Sequence, residues 1–175
     1  MAIEITEKSF ENWICDHIEP FQECVMRLFN DRISDDASIQ FLGNQFRLGK
    51  DNIVDMAFAI EDPDALTGDS YLVLVELKAA QLTPSHYNQL CRYVNIAAEV
   101  VPGYYSDVFG VLVGFGYSES VSDILMTSQG SNIRTLSASS QYDFTPLRLT
   151  YKSEYINSLH LDSRLFPLDG ETDVE

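Results

Sequence analysis

Basic residues are what this chain has least of: eleven Lys and Arg stand against twenty-seven Asp and Glu, a formal net charge of −16. The acidity is not confined to one end, because Leu161–Glu175 contributes only −4 and leaves −12 for the rest. Proteins that grip nucleic acid by neutralising phosphates are usually basic, at least locally, so strong unaided binding to a polyanion is not expected. Cysteine is also sparse. Cys15, Cys24 and Cys91 are odd in number and far apart, with no C-x-x-C pair. That excludes a disulfide framework and leaves three reduced, partly buried thiols. The three histidines show no metal-ligand spacing. No apolar run approaches the roughly eighteen residues of a membrane span, and Met1-Ala2-Ile3-Glu4 lacks the basic-then-apolar layout of a signal peptide. The expectation is a cytoplasmic protein with no membrane partner. Repeats, low-complexity stretches, a phosphate loop, a nucleophile elbow and H-E-x-x-H are all missing. Gly114-Phe115-Gly116 follows a strand, but Glu119 breaks the dinucleotide fingerprint.

What remains is a globular composition, 45% apolar with ten Phe and nine Tyr in 175 residues, enough for one domain with a real core. The expected organisation is a single domain over 1–160 and an acidic C-terminal tail over 161–175. Thr6 is placed to cap a helix bearing Phe10, Trp13, Ile14 and Ile18 at helical spacing. Pro20 suits the first turn of a second helix with a Phe21, Cys24, Val25, Leu28 stripe. Three strands follow, Ile39–Leu48, Ile53–Ile60 and Tyr71–Lys78, joined by turn-rich links that predict an antiparallel meander. Thr83-Pro84 reads as cap and first residue of a long helix ending near Val100. Beyond it come a strand at Val108–Val113, a short helix at Ser118–Ser128, a strand at Ile133–Leu136 and an edge strand at Leu147–Tyr151. Strand, helix and strand in that order predict parallel pairing against the meander. The sum is an α/β fold, a mixed central β-sheet flanked by helices.

The chemistry concentrates at the end of the third strand. Tyr71–Lys78 is apolar on both faces until Glu76 and Lys78, which share a face while Leu77 points the other way. Opposite charges at the end of a buried strand are costly unless they pair or bind something. Asp55, within the neighbouring strand, reaches the same place. Two carboxylates beside a lysine suit a hard divalent cation with oxygen ligands. A paired ion bridge at a strand end would account for the same residues. On the first helix, Glu7 stands seven residues before Ile14, near the azimuth of the apolar face, and Glu11 falls at its edge. Glu7 is the first candidate for an auxiliary acid and Glu11 the second. An ordinary helix-N-terminal acid is the competing role.

The ordered set of parts resembles the PD-(D/E)xK nuclease superfamily, with a restriction-endonuclease-like core, and within it the NucS/EndoMS-like endonucleases. The resemblance runs from Thr6 to about Leu136. It rests on the early acid-bearing helix, Leu42-Gly43-Asn44-Gln45, Ile53-Val54-Asp55, Glu76-Leu77-Lys78, Gln89-Leu90-Cys91-Arg92-Tyr93 and Val108–Val113. It implies Asp55 and Glu76 as ligands of Mg²⁺ or Mn²⁺, with the Leu77 carbonyl as a third oxygen and Glu7 assisting. It also implies Lys78 as the catalytic lysine and Gln89 as a residue positioning lysine, water or phosphate. His86, Gln89 and Tyr93 share one side of their helix; for His86 and Tyr93 a partly buried helix surface is the expected role. The chain departs from the pattern in having Val54 for the signature proline. Ala79-Ala80-Gln81 stands where basic residues often follow, so the basic residues near the motif are Arg47, Lys50 and Arg92.

Two functions follow as expectations. The first is a metal-dependent endonuclease acting on phosphodiester bonds in DNA, with a basic partner protein or a homodimer supplying what the charge withholds. The second is a catalytically silent nuclease-fold protein that serves as an acidic protein-binding module.

Overall fold

The computed structural model describes residues 6–64, 68–116, 132–139 and 148–150. The helix expected at Ser118–Ser128 and the acidic tail lie outside them. Helices α1 (Glu7–Asp16) and α2 (Ile18–Leu28) precede strands β1 (Ser38–Arg47), β2 (Ile53–Asp62) and β3 (Asp69–Leu77). Helix α3 (Pro84–Val100) then leads to β4 (Asp107–Gly114), β5 (Ile133–Ser139) and β6 (Arg148–Thr150). The strands form one sheet in the order β1-β2-β3-β4-β5-β6. Pairing is antiparallel for β1–β2 and β2–β3, parallel for β3–β4 and β4–β5, and antiparallel for β5–β6. The architecture is the mixed sheet with flanking helices expected from the strand and helix order. No helix among the described residues is long and apolar enough to cross a membrane.

Both strong caps form as the sequence predicts. The Thr6 hydroxyl accepts from the Ser9 N–H, and the Thr83 hydroxyl accepts from the His86 N–H, each closing a capping box. Period two in β3 divides the core between the faces of the sheet. Val73, Val75 and Leu77 pack under α1 and α2 with Phe10, Phe21, Phe58 and Phe109. Leu72 and Leu74 pack under α3 with Leu90, Val94 and Leu112. Such two-sided burial explains why β3 reads as a continuous apolar run.

Close packing also governs the link that follows Lys78. A Cβ on Gly114 would lie 2.5 Å from Leu82 Cδ2 and 2.9 Å from the Ala80 carbonyl oxygen. Gly114 is thus what lets the chain between Lys78 and α3 lie against the end of β4. We expect Gly114→Ala to destabilise the fold by about 1–3 kcal/mol, the usual range for overpacking. A chemical-denaturation midpoint unchanged from wild type would contradict this packing.

Candidate active site

The β2–β3 ladder runs from Asp62↔Asp69 to Met56↔Val75 and stops. The next pair in the same register would set Asp55 opposite Glu76, two carboxylates facing each other on the α3 side of the sheet. Like charges directly opposite are destabilising, and here the strands part. Val54 packs with the α3-side cluster and Met56 with the other, so strict alternation breaks across Asp55. In place of a ladder bond, the Asp55 carboxylate accepts the Leu77 backbone N–H at 2.7 Å. That bond aims Asp55 at the end of β3. Lys78, just past the strand, donates its backbone N–H to the Val113 carbonyl at 2.8 Å, which anchors it to β4.

Glu76 is 4% exposed. One of its oxygens, Oε1, accepts from Lys78 Nζ at 3.0 Å. The other, Oε2, is buried without a hydrogen-bond partner. Burial is the main force raising the Glu76 pKa to about 7, and the Asp55 charge adds to it, while Lys78 and, more weakly, the Asp55 backbone N–H oppose it. Asp55 is also raised, chiefly by burial; the Leu77 amide and Lys78 oppose that shift, while the charges of Glu7 and Glu11 add to it. For Lys78, burial alone would depress the ammonium, but Glu76 outweighs it and the net shift is upward. The centre therefore holds more negative charge than its one cation balances, and it leaves an orphaned carboxylate oxygen in a dry place.

Asp55, Glu76, Leu77 and Lys78 are brought together, but the remaining candidates are placed differently. Glu7 does not point inward as its azimuth predicted: it is exposed, whereas Glu11 is buried at 4% exposure. With Thr6 as the cap, Glu7 is the first helical residue and projects from the end of α1. Its charge still bears on Asp55, Lys78 and His86. Glu11 is occupied structurally. Its carboxylate accepts from Asn44 at 2.8 Å, Gln45 at 3.1 Å and Lys8 at 3.2 Å. This ties α1 to β1 just where Gln45 adopts a positive φ of 51°. Glu11→Ala should cost about 1–3 kcal/mol by removing the charge-assisted bonds that tie α1 to β1, visible as a lowered thermal midpoint.

On α3, half-buried Gln89 donates from Nε2 to the Tyr93 hydroxyl at 3.1 Å. That bond turns its amide along the helix rather than onto Asp55, Glu76 or Lys78. His86 is half-buried on the helix surface, as expected, and also closes the α3 cap. Its Nδ1 accepts the Thr83 N–H at 3.1 Å, which puts the ring proton on Nε2. Burial and then the Lys78 charge lower its pKa, with Glu7 opposing, so a neutral imidazole stands within electrostatic reach of the lysine. The position of this histidine three residues after the capping Thr83 is the sequence signal for that role. Among the described residues, no group of three or more His, Cys, Asp and Glu side chains is placed to hold a metal. The oxygen donors present are two carboxylates and main-chain carbonyls. Their shared deficit of positive charge and the orphaned Oε2 fit a hard divalent cation.

No family model matches the chain, and no curated protein matches it. Three solved structures are similar. One is a repair endonuclease from Pyrococcus abyssi, at 19% identity and TM-score 0.48, over 77% of this chain and 47% of that one. Another is an EndoMS–dsDNA2 complex, at 21% identity and TM-score 0.40, over 67% of this chain and 44% of that one. The third is the MspJI restriction endonuclease in complex with a 27-mer oligonucleotide, at 16% identity and TM-score 0.38, over 73% of this chain and 27% of that one. The chain spans less than half the length of each.

Proposed function

We propose that this chain is a Mg²⁺- or Mn²⁺-dependent endonuclease of the PD-(D/E)xK type, with a restriction-endonuclease-like core, hydrolysing phosphodiester bonds in DNA. The observation that carries this reading is the buried Glu76 carboxylate, with Oε2 orphaned and Asp55 beside it. A protein gains nothing in stability from burying two like charges around one lysine; a site that accepts a divalent cation gives them a use. Asp55, Glu76 and the Leu77 carbonyl would hold the metal, with Glu7 near enough to bear on it. When bound, the metal would supply charge neutralisation at the phosphate and a lowered pKa for water.

The chain's own residues would supply the rest. The Asp55–Leu77 bond holds the first carboxylate at the fork between β2 and β3. Lys78 Nζ, anchored through Glu76, would orient a water or stabilise charge developing on a phosphate oxygen. His86 would offer a neutral hydrogen-bond donor from α3, and Gln89 a second one on exchanging its Tyr93 bond for water or phosphate.

The test is cleavage of labelled duplex, single-stranded, branched and mismatched DNAs with Mg²⁺ and with Mn²⁺. Cutting that needs metal and disappears in Glu76→Ala and Lys78→Ala is the expected result. A folded protein that cuts none of these forms overturns the proposal. The net charge of −16 favours one other reading, a silent acidic binding module. That module would hold a basic partner just as well after Asp55→Ala.

A further inference from the structure

The acidity of this chain is unevenly distributed over its fold. Glu7 to Asp36, covering α1 and α2, holds eight acids against three bases. A second acidic group, Glu61, Asp62, Asp64, Asp69 and Asp107, gathers where β2 ends and β3 and β4 begin. That is the opposite end of the sheet from Asp55 and Glu76. The two segments flanking the candidate site are different. From Ala37 to Val54, through β1 and its hairpin turn, Asp51 is the one acid, against Arg47 and Lys50. From Ala79 to Ala98, through nearly all of α3, there is no acid, and Arg92 is the one Lys or Arg.

These bases are also free to act. Lys8, Arg32, Lys78 and Arg134 are each paired with a carboxylate. Arg47, Lys50 and Arg92 are exposed and have no ion-pair partner among the described residues. Arg47 pairs with Ile53 across the β1–β2 ladder. Asp55 is two residues further along β2, so its Cα lies about 8 Å from that of Arg47 by strand geometry. Phe46 and Leu48 pack on the α3 side, and alternation turns Arg47 to the other face of the hairpin. Lys50 stands in the adjoining turn, where Gly49 takes a φ of +80°. The Arg92 guanidinium lies 5.4 Å over the Tyr93 ring, whose hydroxyl accepts from Gln89, so the charge is held on the α3 surface.

We infer that a DNA backbone lies across the β1–β2 hairpin and the site end of the sheet, with Arg47 and Lys50 on the hairpin and Arg92 on α3 binding its phosphates. Apart from Glu7 and Glu11, whose charges reach the site, the acids of α1–α2 and those at the far end of the sheet lie away from it. This inference rests on the reading that this end of the sheet meets DNA, but not on hydrolysis. It also answers the charge problem: repulsion from distant acids is screened beyond about 8 Å at physiological salt, while these three bases act at close range.

The experiment is anisotropy of a fluorescein-labelled duplex and of its single strand over about 0.05 to 0.2 M salt, without added metal, so that nothing consumes the probe. Arg47→Glu with Lys50→Glu should weaken binding at least about tenfold, and Arg92→Glu about fivefold. On duplex, the salt slope should fall by about 0.9 for each phosphate-binding base that is reversed. Arg27→Glu is the control. Arg27 is exposed in the groove between α2 and the start of β1, and its reversal changes net charge as much as Arg47→Glu does. It should leave affinity within about twofold. Equal losses in Arg27→Glu and Arg47→Glu would mean net charge rather than a located path, and would overturn the inference. So would a wild type that binds neither probe. If the hairpin variants lose binding while the wild type cuts no DNA with any metal, the path stands and the hydrolytic reading falls.

Discussion

Lys78→Ala should slow cleavage about a hundredfold to a thousandfold, the range for removing one charge-stabilising donor, while leaving divalent-cation binding intact or tighter. The ammonium now occupies Oε1 of Glu76 at 3.0 Å. Removing it frees that oxygen and takes away a positive charge that repels a metal. Glu76→Gln should behave differently. It removes the carboxylate that the metal needs, and the loss of several kcal/mol of charge stabilisation amounts to about a thousandfold or more in rate. Raised metal concentration should not restore it. The split between the two variants identifies the roles. A lysine that served only as a structural partner of Glu76 would, on removal, damage stability without separating rate from metal affinity. Measuring kcat and the metal dependence of each variant checks this.

The second large effect concerns stability and pH. The Glu76 pKa is raised from 4.5 to about 7 in the folded protein. A folded-state pKa above the unfolded value means that the native state binds the extra proton between the two values. Metal-free stability should therefore fall as pH rises from about 4.5 to 7, by up to about 3 kcal/mol if the whole shift is expressed. Asp55 is shifted in the same direction and steepens the fall. Mg²⁺ or Mn²⁺ should restore the lost stability at the upper end of this range and do little at the lower end, where Glu76 is protonated. Glu76→Gln should flatten the profile and abolish the metal effect. Thermal midpoints across pH, with and without Mn²⁺, are the measurement. A midpoint rising through this range in metal-free wild type would contradict the orphaned, desolvated carboxylate.

Much of the frame was legible in local chemistry. Thr6 and Thr83 announce their helices by capping, and Glu76 and Lys78 share a face because a strand alternates. Parallel pairing of β3 with β4 follows from the intervening helix. What was not legible depends on long-range geometry. The inward reading of Glu7 rested on its azimuth seven residues before Ile14, but in the first turn after the Thr6 cap that azimuth leaves it exposed. Glu11 gains its role from Asn44 and Gln45, thirty-three and thirty-four positions away, which no local pattern reports. Arg134, fully buried and bonded to the Leu28 carbonyl and Asp31, reads in the sequence as an ordinary strand arginine. The segregation of acids from the site end likewise appears only once β2, β3 and β4 are assembled, because net charge carries no address.

The most direct measurement is a calorimetric titration of Mn²⁺ into the protein near neutral pH, with wild type beside Glu76→Gln and Asp55→Asn. A single site in the wild type, lost in both variants, with proton release on binding, is the predicted result. Absence of Mn²⁺ binding in a folded wild type, or binding that survives both substitutions, would contradict the metal centre at the β2–β3 fork.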